Sequence, residues 1–531
     1  MTTGARILAM AACLLGFVMA HAHEHVMDMA VPVGQVHFEN SCSPELKAAI
    51  DRGMSLQYSF WYDEARKSFV NVAAREADCA IAYWGEAMSH YQPVEELPGG
   101  DELKAGQEAI AKARLATRKT PRERAYVEAL AVIFDDQAVP AHDARAQRYS
   151  DLMGTLSATY PTDHEAAVLY ALSLLSPELP DDPTLSRSRQ ALTLLNAVLK
   201  VEPDNPGVMH YIIHASDNPQ MAPLGLEAAR RYAQIAPASA HALHMPGHIF
   251  ARLGLWQEDI KSNLASKAAA EGHTSMHIGA QNRLHAMEFL QYAYLQTGQD
   301  DKARAVTIEA GKIQPAELDP GFEDYYSWVE ASFPARLALE TRDWSGALAL
   351  NAVATPRARK VTYWAHAVAA GHLRNRQAAD AAAAEYRATL TPAQLASEKT
   401  KPSALSAETN AWALFAGDDV DGAVSLLRPV AARQDKIGKG EVELPAREML
   451  ADMLRLAGHS AEALQEYRVS LQTDPGRFNT LLHAGEVAAK LGLKQEAAGY
   501  YRLLLKNAAN PSIESQQALG GARSFLRTSA K

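Results

Sequence analysis

The sequence predicts an all-α fold made of repeated helix pairs, and two observations support this prediction. A glycine, an alanine and a tyrosine near the C-terminus each recur 34 residues further along the chain. The two sets are Gly458, Ala463, Tyr467 and Gly492, Ala497, Tyr501. Signals of β-structure are nearly absent, because there is no Asn-Gly hairpin and no sustained alternation of β-branched residues. A repeat of this length, in which each unit buries one face on its neighbours, predicts a solenoid.

Each unit is predicted to run helix, turn, helix. The glycine lies in the turn, the small alanine lets the two helices approach, and the aromatic residue fills the gap to the next unit. A proline such as Pro475 ends the second helix, because proline has no N–H to donate. The same phase extends upstream, where residues of the same types occupy these places. They are Ala65, Phe69, Gly254, Gly298, Ala303, Pro315 and Ala347.

Three segments make the resemblance to a known repeat specific. They are residues 79–85 (CAIAYWG), 241–250 (HALHMPGHIF) and 445–450 (PAREML). The chain resembles the tetratricopeptide-repeat (TPR) proteins, and in particular a group of exported bacterial TPR proteins that has no assigned chemistry. The resemblance extends over most of the chain after residue 22. It implies an all-α solenoid in which helix pairs form a right-handed superhelix with a concave groove.

Composition and charge exclude several classes of protein. The 531 residues carry 52 Lys and Arg against 62 Asp and Glu, which gives a formal net charge of −10. This acidic balance argues against a general nucleic-acid-binding protein, which needs a basic surface. A hydrophobic content of 48% argues against a disordered chain. An ordered protein that binds no nucleic acid is therefore expected. The concave surface that a solenoid offers predicts a protein or peptide partner.

Residues 1–22 are predicted to be a secretory signal peptide. Arg6 is the only charge of a short n-region, residues 7–20 are uncharged, and Ala20-His21-Ala22 is a small-residue cleavage site. The apolar segment is too short to span a bilayer, and no later stretch is long and apolar enough to do so. The mature chain is therefore expected to be periplasmic or secreted, and not an integral membrane protein.

The chain after the signal peptide is predicted to have three parts. Residues 23–42 form a polar, mobile lead-in that bears His and Met, 43–320 an N-terminal TPR-like array, and 321–531 a C-terminal TPR array, with a hinge at 318–321. Cys42 and Cys79 are the two cysteines that remain after cleavage. In an oxidising compartment they are candidates for one disulfide, and two buried, unpaired thiols are the alternative.

Histidines are concentrated in one part of the sequence. Eight of the 19 histidines lie between residues 210 and 285. His210 and His214 are four residues apart and share one helix face, as do His244 and His248, and the second pair follows the first by one 34-residue period. In TPR proteins the corresponding places face the concave groove, so the resemblance implies that four imidazoles lie on one surface.

The predicted groove extends to neighbouring polar residues on the same face. Its members are His210, His214, Asp217, His241, His244, His248, Arg252, His285 and Glu288. The first function that they predict is an exported scaffold that binds a peptide, a protein segment or a small ligand.

The alternative function is a periplasmic metal-binding protein or a metal-dependent hydrolase. It would use His210, His214, His244 and His248, with Zn, Cu or Fe as the possible ions. The His-Glu-x-x-His motif of zinc hydrolases is absent and no complete catalytic set is visible, so the sequence does not by itself predict an enzyme.

Overall fold

The computed structural model describes residues 31–94, 98–179, 182–272, 276–318, 323–440 and 443–529. Over these ranges the chain contains helices and no β-strand, although isolated bridge residues occur, such as the pair Cys79 and Arg118. The predicted all-α solenoid is thereby confirmed. The predicted signal peptide, residues 23–30 of the lead-in and most of the predicted hinge lie outside the described residues.

The α-helices follow one another with short connections. In chain order they are α1 (Lys47–Tyr58), α2 (Tyr62–Arg75), α3 (Ala80–Met88), α4 (Gly100–Leu115), α5 (Pro121–Ala131), α6 (His142–Thr159), α7 (His164–Ser173), α8 (Ser186–Leu199), α9 (Pro206–Ser216), α10 (Ala222–Ile235), α11 (Ala240–His244), α12 (Pro246–Arg252), α13 (Trp256–Glu271), α14 (Met276–Gln296), α15 (Asp300–Ala310), α16 (Glu323–Glu340), α17 (Trp344–Leu348), α18 (Pro356–His372), α19 (Arg376–Ala388), α20 (Pro392–Glu398), α21 (Ala404–Ala416), α22 (Val420–Ile437), α23 (Ala446–Leu456), α24 (Ser460–Thr473), α25 (Phe478–Lys490), α26 (Lys494–Asn507) and α27 (Ile513–Ser529). Short 3-10 helices span Pro44–Leu46 and Pro315–Glu317.

Successive helices pack in pairs, and the first helix of a pair also contacts the first helix of the next pair. Helices α7, α9 and α12 form one such row, and α16, α18 and α21 another. Side chains on first helices of neighbouring repeats therefore lie side by side, as in other solenoids. This row is what brings histidines from different repeats together.

The residue types that define the repeat have the structural roles predicted for them. Gly458 and Gly492 have φ of +87° and +77°, a left-handed conformation that glycine adopts without steric cost. Ala463 and Ala497 are fully buried where the two helices of a unit cross. A side chain larger than alanine would push these helices apart.

Residues 31–42 do not behave as the mobile, polar lead-in that the sequence predicts. Phe38 is 1% exposed and stacks on Trp84, and Val33 and Val36 of the same segment are also buried. A disulfide joins Cys42 to Cys79, whose Cα atoms are 5.3 Å apart. Gln35 also donates its backbone N–H to the carbonyl of Asp204 at 3.0 Å. The segment is thus part of the folded array.

Helices from the C-terminal half pack back against the middle of the chain. The Trp256 indole donates to the Gly476 carbonyl at 2.9 Å, and the Arg252 guanidinium donates to the Lys439 carbonyl at 3.0 Å. Buried apolar residues form three main clusters, over 33–250, 251–337 and 331–522. The predicted groove histidines lie where the first of these clusters meets the second.

Across the described ranges, no helix has the length and apolar character needed to cross a bilayer.

Candidate metal centre

Four neighbouring helices supply the groove histidines. Helix α9 carries His210 and His214, and it begins at Pro206 after an Asn205 cap, whose side chain accepts from two backbone N–H groups of the first turn. Helices α11 and α12 carry His241, His244 and His248 on either side of Met245, and α14 carries His285. The sequence predicts one helix where α11 and α12 lie. The structure breaks it at Met245, because Pro246 cannot donate a backbone hydrogen bond.

His210, His214 and His241 form a first cluster. The Nε2 atom of His210 lies 3.0 Å from Nε2 of His214 and 3.0 Å from Nε2 of His241. His210 Nδ1 donates to the Tyr58 carbonyl at 2.6 Å, so in a neutral ring Nε2 carries the lone pair. Burial lowers the pKa of His210 to about 3, so this ring is neutral at neutral pH. The Nε2 atoms of His214 and His241 thus both lie 3.0 Å from the nitrogen that carries the lone pair of His210.

His244, His248 and His285 form a second cluster of the same kind. Nε2 of His244 lies 2.9 Å from Nε2 of His248. The ring of His285 lies against both, with centroid distances of 4.2 Å to His244 and 6.0 Å to His248. In each cluster the three candidate ligand nitrogens all lie within 4.8 Å of one another. Each triad therefore brings its ligand atoms close enough to converge on one ion.

Hydrogen bonds determine which nitrogen of His244 and of His248 carries the hydrogen. The Asn263 amide nitrogen donates to the Asp259 carbonyl, so the Asn263 oxygen faces His244 and accepts from its Nδ1 at 2.6 Å. His248 Nδ1 donates to the Asp217 carboxylate at 2.9 Å. With both rings neutral, each has one N–H, and both Nε2 atoms then carry lone pairs that face each other at 2.9 Å. A cation bound by both nitrogens would replace that repulsion with two metal–ligand bonds.

The outer contacts of the second cluster are those of typical metal-binding histidines. His285 Nδ1 lies 2.9 Å from the Glu288 carboxylate, which also accepts from the Tyr325 hydroxyl at 3.0 Å. The Arg252 guanidinium donates to Asp217 at 2.9 Å and holds that carboxylate in place. A carboxylate or carbonyl on the far ring nitrogen orients the imidazole and raises its basicity as a ligand.

One phenylalanine packs against each cluster. The Phe60 ring centroid lies 4.4, 5.7 and 5.1 Å from the rings of the first cluster, taken in chain order. The Phe289 centroid lies 4.7, 4.9 and 5.7 Å from those of the second. Each triad thus has an apolar wall on one side, which excludes water and limits the positions that its rings can adopt.

The two clusters touch each other. Ring centroids are 6.4 Å apart between His241 and His244 and 6.5 Å apart between His214 and His248, no more than the widest spacing inside one cluster. The six imidazoles therefore make one continuous centre with two places for an ion.

The structure brings all nine predicted groove residues into one region but groups them differently from the prediction. The predicted set of four metal-ligating histidines is divided between the clusters, and each half gains a third histidine, His241 or His285. Asp217, Arg252 and Glu288 lie in the outer contacts of the histidines. Of the other histidines in this stretch, His273 and the side chain of His277 lie outside the described residues.

Several residues of the centre were missed by sequence reasoning. They are Tyr58, Phe60, Asn263, Phe289 and Tyr325. For Phe289 a signal exists, because it follows His285 by four residues and so shares its helix face. Phe60 lies 150 residues before His210, and its position depends on the tertiary packing of α1 against α9.

No family model and no curated protein matches this chain. It is similar to solved structures of helical-repeat proteins. The Cut9–Hcn1 hetero-tetramer of APC/C is 12% identical, over 90% of this chain and 76% of that chain, with a TM-score of 0.37. The TPR domain of P58(IPK) is 12% identical, over 92% of this chain and 99% of that one, with a TM-score of 0.20. At these values neither likeness bears on the histidine centre or on function.

Proposed function

We propose that the protein is an exported metalloprotein whose solenoid holds two transition-metal ions, one in each histidine cluster. The observation that supports this most directly is the pair of Nε2 atoms of His244 and His248, 2.9 Å apart, each with its Nδ1 bonded elsewhere. The first cluster repeats the pattern around His210. Imidazole nitrogens held in this way are the usual ligands of Zn, Cu, Fe and Ni.

Close packing distinguishes this proposal from the predicted peptide groove at the same residues. A groove needs room between side chains that share a face, whereas these rings lie 2.9–3.0 Å apart at their ligand atoms. His210 and His244 are also almost fully buried. Binding of a peptide or protein elsewhere on the solenoid stays a prediction that rests on the repeat architecture alone.

The ligand set narrows the choice of ion. Among the described residues, each triad consists of three histidines and includes no carboxylate and no thiolate. Non-haem iron sites of the common type use two histidines and a carboxylate, so copper and zinc fit these triads better than iron. Three imidazoles leave at least one coordination position open on each ion, which is what chemistry at the metal requires.

The test is the metal content of the untagged mature protein, measured by inductively coupled plasma mass spectrometry. We expect close to two ions per chain in the wild type and none in the His210→Ala/His244→Ala double variant. His366→Ala is the matched control, because His366 is a partly buried histidine that bonds to the Leu350 carbonyl, away from the centre. Metal retained by the double variant, or a wild type that binds none under saturating Cu or Zn, would contradict the proposal.

A further inference from the structure

We infer that the two clusters hold a pair of copper ions that together bind one molecule of dioxygen. The inference rests on the proposed function, because it requires an ion in each cluster. It goes beyond that function by specifying the metal, its reactivity and the ligand that joins the two ions. Four features of the centre lead to it.

The first feature is the number and type of ligands. Each triad supplies three neutral nitrogens, and Cu(I) is stable with three such ligands because it needs neither an anion nor a fourth donor. An ion with three ligands also keeps a position open for an incoming molecule. The phenylalanine beside each triad, Phe60 or Phe289, packs against all three rings and resists their rearrangement.

The second feature is the contact between the triads. His214 packs against His248, and His241 packs against His244, with centroid distances of 6.5 and 6.4 Å. The two triads are in direct contact, so the open coordination positions of their ions would face one shared space. A ligand of two atoms can bind both ions there at once.

The third feature is the charge of the centre. The Asp217 and Glu288 carboxylates bring two negative charges to its edge, and two guanidinium groups return positive charge. They are that of Arg252, bonded to Asp217, and that of the buried Arg336, whose charge interacts with Glu288. Two Cu(I) ions add two positive charges, whereas two divalent ions would add four to a site with few counter-charges. Burial makes such an excess costly.

Dioxygen binding leaves this charge unchanged. Each Cu(I) gives one electron and becomes Cu(II), and dioxygen accepts both electrons and becomes peroxide, with its O–O single bond intact. The two positive charges gained by the copper ions equal the two negative charges gained by the ligand. No proton and no further reactant is required, so the step suits a buried site lined by neutral rings.

The fourth feature is access to the centre. His210 is buried at its base, whereas the side chain of His285 is 41% exposed. The centre thus opens on the His285 side, next to the apolar ring of Phe289. Dioxygen is small and apolar, so it can enter past these side chains, whereas a large polar substrate would have to displace them.

The experiment uses the full-length mature protein, freed of metal and loaded with two equivalents of Cu(I) under nitrogen. On addition of oxygenated buffer we expect uptake of one dioxygen per two copper ions. We also expect a new near-ultraviolet charge-transfer absorption and little electron paramagnetic resonance signal, because the two Cu(II) spins couple through the bridging ligand. Protein loaded with Zn(II) is the control and should show none of these changes.

The outcomes separate this inference from the proposed function. Failure to bind two copper ions per chain would overturn the inference, and a chain that binds no zinc either would overturn the proposed function as well. Two bound copper ions that take up no dioxygen, or that give a Cu(II) resonance signal accounting for all the copper, would overturn only the inference. The His285→Ala variant should hold one copper per chain and give the uncoupled Cu(II) signal after oxidation. Its circular dichroism and melting temperature show whether it is folded.

Discussion

The two histidine clusters share one plan but differ in their surroundings. In the first, His210 donates to a backbone carbonyl, that of Tyr58. In the second, His248 and His285 contact the carboxylates of Asp217 and Glu288. A carboxylate makes its imidazole a stronger donor and compensates positive charge. Similar triads can therefore differ in the charge they tolerate, so the second cluster should bind a divalent ion more tightly than the first.

The repeat accounts for the similarity of the clusters. Each contains two histidines four residues apart, on α9 or on the segment formed by α11 and α12. The third histidine comes from the next repeat, and is His241 on α11 or His285 on α14. Neighbouring repeats thus produce the same arrangement twice. The carboxylates are not placed by the 34-residue period. Asp217, which follows the last residue of α9, accepts from His248 on α12, one repeat further along the chain. They are what makes the clusters unequal.

The largest expected effect is the loss of one ion and not the other. His244→Ala removes the ring at the centre of the second cluster and should lower the metal content from two ions per chain to one. His210→Ala should do the same at the first cluster. Mass spectrometry of the intact, metal-loaded proteins under native conditions measures both. If either single variant lost both ions, the clusters would have to be treated as one indivisible site.

An intermediate effect is expected from the outer carboxylate of the second cluster. Asp217→Asn leaves all six histidines in place but weakens the contact that orients His248, so the tighter of the two binding constants should fall by about 10–100-fold. Titration against a metal chelator measures it. The matched control is Asp418→Asn, which removes an exposed Asp–Arg pair with Arg374 and should leave both constants unchanged. Weakening of the looser site alone would reverse the order of affinities that we assign.

The smallest expected effect concerns Glu165, which is hydrogen-bonded to Tyr58 beside the first cluster. Its substitution should change the stability of the fold and not the metal content. The Tyr58 hydroxyl donates to the buried carboxyl of Glu165, and burial raises the pKa of Glu165 to about 8. The folded chain therefore holds a proton that the unfolded chain releases above the usual Glu pKa. The free energy of unfolding should fall as pH rises from about 5 to 8, by a few kcal/mol at most, since one pKa unit is worth about 1.4 kcal/mol.

Glu165→Gln should remove this part of the pH dependence and leave the metal content equal to that of the wild type at each pH. Chemical denaturation at pH 5 and pH 8, with wild type and variant in parallel, measures the difference. Glu128→Gln is the control, because Glu128 is an exposed carboxylate that pairs with Arg114. An unchanged pH slope in Glu165→Gln would show that Glu165 is ionised in the folded state.

The sequence predicts the part of this structure that repeats. The 34-residue period places Gly458 and Gly492 in turns and Ala463 and Ala497 at helix crossings, because each position depends on its own unit. It also places the two histidine pairs on neighbouring first helices. These features follow from local periodicity, which a single sequence displays.

The sequence does not predict contacts that depend on how far the superhelix turns. The backbone contact between Arg252 and Lys439 joins residues 187 positions apart. Its position depends on small rotations between repeats that add up over many helices. Tyr58 likewise reaches His210 across 152 residues. The grouping of six histidines into two triads depends on such long-range geometry, so spacing alone suggests one set of four.

The packing of the C-terminal repeats against the middle of the chain also limits the order in which contacts can form during synthesis. Synthesis runs from the N-terminus, so all six histidines have left the ribosome before Lys439 and Gly476 are made. The contacts of these two residues with Arg252 and Trp256 can form only after that point. The imidazoles can thus gather before the C-terminal repeats pack against α12 and α13, the helices of Arg252 and Trp256. Once the polypeptide is complete, Lys439 and Gly476 can hold α12 and α13 in place beside histidines that are able to assemble earlier.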